Sequence, residues 1–333
     1  MIHLQVMQTT DSAISVSDLV KVYHPRSGPP VRALDGLTLE VRRGEIFGLL
    51  GKNGAGKTTL LRILTTLAPP TSGSVSVLGL DVVRQGLEIR KKLCVVLQEN
   101  AVELYLSVAD NLTTYARFHS IPAIEARTSA ERVMHQFGLT EYRNQKVIDL
   151  SGGLKRRVQV AKVFMVDKPI VFLDEATTGM DPINKRATLD AVRGQARIGR
   201  TIFLTTHILE EAEELCDTIA IIDRGRCIAS GGLPTIKSMI PGAFDVSITF
   251  ATLPEETLHE IRLLPLLKCS QARSTVEARV RGDDFSTLEA LAGLARRSQV
   301  IHFEVRSATL EDVFVELLGP NLKPNSGGRE RLS

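Results

Sequence analysis

The run Gly51-Lys52-Asn53-Gly54-Ala55-Gly56-Lys57-Thr58-Thr59 satisfies the spacing G-x-x-x-x-G-K-[ST]. Glycines let a backbone approach a phosphate closely and adopt dihedrals closed to other residues, so that several N–H groups converge on one anion. In such a loop Lys57 reaches the β- and γ-phosphates of a nucleotide and the Thr58 hydroxyl sits on Mg2+. Asp174 and Glu175 end the apolar run Pro169-Ile170-Val171-Phe172-Leu173. A carboxylate at a strand end after a phosphate loop is the expected Mg2+ partner, directly or through water. Its neighbour Glu175 is placed to orient and deprotonate a water for attack on the γ-phosphate. Gln98 and His207 also end apolar runs, at the strand edge where α/β folds collect their ligand groups.

These roles require particular elements around the residues. The phosphate loop needs a strand before it and a helix after it; residues 45–50 (E-I-F-G-L-L) read as that buried strand, and 59–67 as the start of the helix. Residues 12–43 suggest two or three short strands with a turn-rich insertion at 25–30, and Tyr23 lies just before the insertion. A short strand at 74–78 and a buried one over 91–98 follow. Residues 107–145 are helical in pattern, with Ser107 and Ser129 as caps and Pro122 as a break, which makes a helical lobe beside the sheet. Leu150-Ser151-Gly152-Gly153 precedes a helix at 154–164 whose first turn is basic. Positive side chains there oppose the helix dipole, a cost that makes sense if the helix N-terminus faces an anion. Strands at 201–206, 219–223 and 226–230 and an amphipathic helix at 208–216 complete this part. After Gly231-Gly232 the pattern changes to strand 245–250, helix 255–264, strand 274–281, helix 285–296, strand 299–305 and helix 310–318. The expected organisation is a nucleotide-binding domain over 12–235, an accessory α+β domain over 236–319, and a disordered tail over 320–333. No internal duplication is visible, so there is one nucleotide cassette per chain.

Composition narrows the class. In 333 residues, 43% are hydrophobic, yet no stretch reaches the roughly 18 apolar residues of a membrane span. The first residues lack a basic segment followed by an apolar one, so no secretory signal is expected. A net charge of +3 without a clustered basic face gives no reason to expect a nucleic acid partner. Cys94, Cys216, Cys227 and Cys269 have no zinc-like spacing, and reduced cysteines used for packing in a cytosolic protein are expected.

Taken together and in this order, the motifs resemble the ATPases of ABC transporters over roughly residues 12–235. Leu150-Ser151-Gly152-Gly153 resembles the family signature, and Gly179-Met180-Asp181-Pro182 its D-loop. Gln98 is similar to the Q-loop glutamine, His207 to the switch histidine and Tyr23 to the adenine-stacking aromatic. The resemblance implies an α/β fold, the P-loop NTPase of ABC type, with a mixed sheet core, an antiparallel subdomain and a helical subdomain. It implies ATP with Mg2+, the ion held by Thr58, Gln98 and Asp174, and catalysis by Glu175, His207, Gln98 and Lys57. It also implies a head-to-tail homodimer with two ATP molecules at the interface. Each would lie between Gly51, Asn53, Gly54, Ala55, Gly56, Lys57, Thr58 and Thr59 of one subunit and Ser151, Gly152 and Gly153 of the other, with Tyr23 and Asp181 also among the nucleotide-binding residues. Lys52 and Ala176 replace the family's more usual prolines, at positions without a chemical role.

Ala308-Thr309-Leu310-Glu311-Asp312-Val313-Phe314, Phe47-Gly48-Leu49-Leu50-Gly51 and Leu154-Lys155-Arg156-Arg157 are similar to segments of drug and antibiotic exporter ATPases of the daunorubicin-resistance type. This implies a peripheral protein on the cytoplasmic face of the membrane, working with a separate polytopic permease. Residues 99–112 would meet the permease, with Tyr105, Leu106 and Val108 either in that contact or in internal packing. The cassette says little about cargo, so lipid or polysaccharide export, or import, stays open beside drug export. A regulatory module that binds ATP without turnover also stays open. A soluble ABC ATPase acting on ribosomes or DNA fits less well, because the chain has no basic tail and no coiled-coil insertion.

Overall fold

Alternating apolar positions near the N-terminus build two long antiparallel strands, β1 (Ser12–Tyr23) and β2 (Val31–Arg42), where two or three short ones were expected. Polar Ser17 and Asp18 interrupt the alternation. Register shifts on either side of them, with Asp18 at φ 47, absorb the interruption and let one strand continue. The computed structural model describes residues 11–96, 101–239, 243–307 and 309–319, and the chain divides into two compact units after Gly232.

In the first unit, β3 (Ile46–Leu50) leads into α1 (Lys57–Leu64), followed by β4 (Ser72–Val77) and the short β5 (Leu80–Asp81). The antiparallel sheet has the order β2-β1-β4-β5. Helix α2 (Gly86–Lys91) was not anticipated, and because it closes at Lys91 the next strand, β6 (Leu93–Val96), starts later than the pattern suggested. Three helices form the lobe: α3 (Val108–Phe118), α4 (Ala123–Gln136) and α5 (Gly152–Val163). The Ser107 hydroxyl caps α3 by accepting from the Asp110 N–H at 3.0 Å. Ser129 caps nothing, because α4 starts directly after Pro122 and runs through it. Strand β7 (Ile170–Asp174), helix α6 (Pro182–Arg197), strand β8 (Thr201–Thr206), helix α7 (Leu209–Leu215) and strands β9 (Thr218–Asp223) and β10 (Arg226–Gly231) complete the unit. Its second sheet has the order β10-β9-β3-β8-β7-β6, parallel from β9 to β6, with β10 antiparallel at the edge. Every residue of β3, β7 and β8 is buried, which explains their unbroken apolar runs. Phe203 anchors their packing, its ring centroid 5.3 Å from that of Phe47 and 5.5 Å from that of Phe172. Cys94 and Cys216 are buried in this unit, Cys227 is half-buried, and Cys269 in the second unit is exposed; all four are free thiols.

The second unit opens with the short helix α8 (Leu233–Lys237). It continues as β11 (Ala243–Phe250), α9 (Glu255–Leu263), β12 (Lys268–Ala272), β13 (Thr275–Arg281), α10 (Phe285–Arg297), β14 (Val300–Ser307) and α11 (Leu310–Leu318). The antiparallel order β12-β13-β11-β14 gives a ferredoxin-like β-α-β-β-α-β arrangement. Its core joins Val246, Ile248 and Phe250 of β11 to Ile261 of α9 and Leu291 of α10. Strand β12 was not anticipated; it is exposed along its whole length and so carries no apolar alternation. Thr309 and Asp312 form a capping box on α11. The 320–333 tail lies outside the described residues.

The aromatic contact beneath the parallel sheet yields a stability prediction. Phe203→Ala is expected to cost about 3–5 kcal/mol, read as a lower urea midpoint at unchanged slope. A cost below about 1 kcal/mol would show that the site collapses around the missing ring.

Candidate functional site

The parallel register brings three strand ends to one edge. Leu50 lies beside Thr206 and Asp174 beside Thr205, so the segments leaving β3, β7 and β8 start side by side. After β3 the chain turns through the glycine loop into α1. Gly56 has φ 111, and an added Cβ would lie 2.7 Å from the Ala33 carbonyl oxygen and 2.8 Å from Leu34 Cδ2. Both the hand of the backbone and the space therefore demand glycine. Lys57 is only 7% exposed. Its ammonium donates to the Gly51 carbonyl at 2.6 Å and the Lys52 carbonyl at 3.3 Å. Burial pulls its pKa down, while the charges of Glu175 and Asp174 pull the other way.

The carboxylates are held from β8. The buried Asp174 accepts from the Thr205 hydroxyl, and the Glu175 N–H donates to the Thr205 carbonyl at 3.0 Å. Glu175 has φ 46, left-handed for a non-glycine residue, a strain of about 1–3 kcal/mol that the surroundings must hold in place. This turn sends Glu175 Oε1 to 3.1 Å from His207 Nδ1. Beneath them Glu211 of α7 is 1% exposed. It accepts from the Thr177 hydroxyl at 2.5 Å and the Thr206 hydroxyl at 3.1 Å, and pairs with Lys185 at 3.0 Å. The segment after Glu175, the start of α6 and the His207 turn thus meet on one buried carboxylate.

Asn53, Gly54, Gly56, Lys57, Thr58, Thr59, Glu175 and His207, with Ala33, line one open cleft of about 380 Å³. A glycine cradle, a buried ammonium, a hydroxyl and a buried carboxylate fit a nucleotide phosphate chain with its Mg2+. Among the described residues no group of three or more His, Cys, Asp or Glu could hold a metal ion.

Other residues named from the sequence lie elsewhere. Tyr23 is half-buried at the end of β1, outside the lining of the cleft, with Lys21 Nζ 5.1 Å from its ring centroid. Ala55 is buried in the loop, where its carbonyl accepts from the Gly225 N–H at 2.9 Å. Ser151 and Gly152 are exposed at the start of α5, and the Ser151 hydroxyl accepts from the Leu154 N–H at 3.3 Å. Gly153 faces inward, where an added Cβ would come 3.0 Å from Asp181 Oδ2 and 3.2 Å from Asn184 Nδ2. Asp181 itself caps α6, accepting from the N–H groups of Ile183 at 3.1 Å and Asn184 at 3.0 Å. Gln98 lies outside the described residues. Tyr105 is exposed and Leu106 half-buried, whereas Val108 is fully buried as internal packing.

The basic first turn of α5 is answered within its own chain. Its side chains are spent on carbonyl oxygens of their own chain: Lys155 donates to Ile148 at 2.8 Å, and Arg157 to Phe137 and Gly138 at 3.4 Å. Arg156 is bonded to the main chain after β7. Sequence reasoning also missed Thr205, Thr177 and Glu211. The paired threonines before His207, polar in a buried strand, were the available signal for the first. Glu211 was hidden among the four glutamates of its helix.

Comparisons with known proteins agree with this geometry. Residues 34–178 match the ABC transporter family model. The chain is 36% identical over 317 residues to the daunorubicin resistance ATP-binding protein DrrA3 of Streptomyces coeruleorubidus, covering 93% of this chain and 96% of that protein. It is 34% identical over 290 residues to the Nod factor export ATP-binding protein I of Burkholderia thailandensis, covering 87% and 93%. A solved ATP binding subunit of an ABC transporter superposes with a TM-score of 0.60 at 27% identity, covering 68% of this chain and 92% of that one. With relatives matched along nearly their whole length and a phosphate loop, carboxylate pair and histidine converging on one cleft, the chain belongs to the ABC transporter family, among its ATP-binding proteins.

Proposed function

We propose that this protein binds ATP with Mg2+ in the cleft and hydrolyses it as the ATPase subunit of an exporter of drug-like or hydrophobic compounds. The observation that carries the reading is the meeting of the buried Lys57 with the Glu175–His207 pair, 3.1 Å apart, above one glycine loop. Residues 12–235 act as the nucleotide-binding domain and 236–319 as an accessory domain. Lys57 exchanges its carbonyl partners for β- and γ-phosphate oxygens, and Tyr23 stacks on adenine. Thr58 and Asp174, with Gln98, hold Mg2+, which neutralises phosphate charge when bound. Glu175 orients the attacking water and takes its proton, and His207 fixes the carboxylate.

Ser151, Gly152 and the start of α5 serve the nucleotide of a second copy, head to tail. The support for this is that Ser151 and Gly152 are exposed and lie outside the cleft of their own chain, and the first turn of α5 has no acidic residue. Hydrolysis removes the shared anion and loosens the dimer. Among the described residues no helix is long and apolar enough to cross a membrane. In this reading the subunit works with a separate polytopic permease, on its cytoplasmic face and with Tyr105 in the contact. The similarity to a Nod factor export protein favours a second reading, export of a cargo of that kind in place of a drug.

Glu175→Gln is expected to lower steady-state ATP hydrolysis by about 100-fold or more while leaving ATP binding intact; wild-type turnover in this variant would remove the base assignment. Lys57→Ala should weaken ATP binding, and Ser151→Ala should lower turnover with the ATP affinity of an isolated monomer unchanged. Equal weakening of monomer binding by both would contradict the interface. The tagged Glu175→Gln protein, purified from detergent-solubilised membranes with ATP and Mg2+, is expected to carry a stoichiometric polytopic membrane protein. Recovery of only ribosomal or DNA-associated proteins would refute transport.

A further inference from the structure

The helix that opens at Ser151 also reaches the far side of the carboxylate turn. Arg156 is 6% exposed. Its Nη2 donates to the Asp174 carbonyl at 3.0 Å and the Glu175 carbonyl at 3.1 Å, and its Nε to the Ala176 carbonyl at 3.0 Å. Nη1 donates to Gln159 Oε1 at 2.9 Å, one turn along the same helix, which fixes the guanidinium plane. Three successive main-chain carbonyls thus converge on one planar donor set. The middle one belongs to Glu175, whose left-handed backbone persists only if neighbours over-determine it. Strand β8 grips that residue through its N–H, donated to Thr205, and Arg156 grips it through its carbonyl.

We propose that Arg156 is a positioning residue for hydrolysis, clamping residues 174–176 to α5 so that the Glu175 carboxylate stays against His207. The inference rests on the reading of Glu175 as the group that orients water. A flat guanidinium suits the task because its N–H groups point in fixed directions in one plane. A lysine ammonium is a compact charge on a flexible stem and cannot reproduce three such bonds. Without the clamp the turn is free to relax toward negative φ, which swings the carboxylate away from His207. Because the same helix begins at Ser151, a displacement of its N-terminal end is carried mechanically to the Glu175 main chain.

The test is a double-mutant cycle on the full-length protein with Arg156→Lys, Glu175→Gln and the pair. Thermal unfolding, Mg-ATP affinity and single-turnover hydrolysis are measured for each. Arg156→Lys is expected to fold, to bind ATP like the wild type, and to lose about 10- to 100-fold in hydrolysis rate, as a misplacement near 1 Å does. In the Glu175→Gln background it should cost nothing more, since both changes remove one function. Losses that multiply, or unchanged hydrolysis in Arg156→Lys alone, would overturn the positioning role. Hydrolysis retained in Glu175→Gln alone would instead strike the base reading beneath it, a distinct result. If Arg156→Lys fails to fold, Arg156→Gln, which keeps two N–H donors, goes through the same cycle.

Discussion

Adjacent parallel strands can bring chemistry together only where their ends coincide, and the site depends on β3, β8 and β7 ending at one edge. The order places β8 between the other two, so it alone touches both the phosphate-loop strand and the carboxylate strand. Thr205 uses that place to bond Asp174 and the Glu175 N–H together, and the next residues carry Thr206 and His207. Because side chains alternate along a strand, a slip of one residue in β8 would turn the Thr205 hydroxyl away from Asp174. The rings of Phe47, Phe203 and Phe172, the first pair stacked and the second tilted, lie across the same three strands and oppose such a slip.

Below that edge the interior is polar in a controlled way. A buried carboxylate is tolerated only with partners that satisfy its lone pairs, and Glu211 has two hydroxyls and an ammonium. Those partners sit on three different segments, so the network costs little in desolvation only while all three keep their places. Removing one would leave a charge stranded in a low-dielectric interior, which is why such networks hold geometry more strictly than apolar contacts do. Lys57 faces a similar balance, with burial opposed by the charges of Glu175 and Asp174.

What the sequence discloses here is what local geometry encodes. The glycine loop, the Asp174–Glu175 pair and His207 each end a strand, and a strand followed by a fixed turn can be read along one stretch of chain. The order of the strands and the second layer could not be read that way. Thr205 matters because β8 lies beside β7, and Glu211 because α7 packs beneath residue 177; neither relation has a spacing in the sequence. Along the sequence Arg156 is a charge at a helix start; in the fold it is a donor to a strand end 18 to 20 positions away. The second unit was legible where strands are half-buried and illegible at the exposed β12, for the same reason: burial writes the pattern.

The start of α5 shows how a local electrostatic cost can be met within the chain. Positive side chains in a first turn are unfavourable to the dipole, and an anion at the helix end is one compensation. Lys155, Arg156 and Arg157 also reach carbonyl oxygens, so their charges are answered by the chain itself. The helix end is left with Ser151 and Gly152 outward and with Gly153 pressed against the Asp181 cap of α6. A side chain at 153 would crowd the Asp181 and Asn184 side chains, which would have to shift by a few tenths of an ångström. Any force on the two helix starts is shared by α6, anchored through Lys185 to Glu211, and by α5, anchored through Arg156 to the Glu175 turn. Both routes end within the same few residues of the cleft, one at the histidine turn and one at the carboxylate beside it.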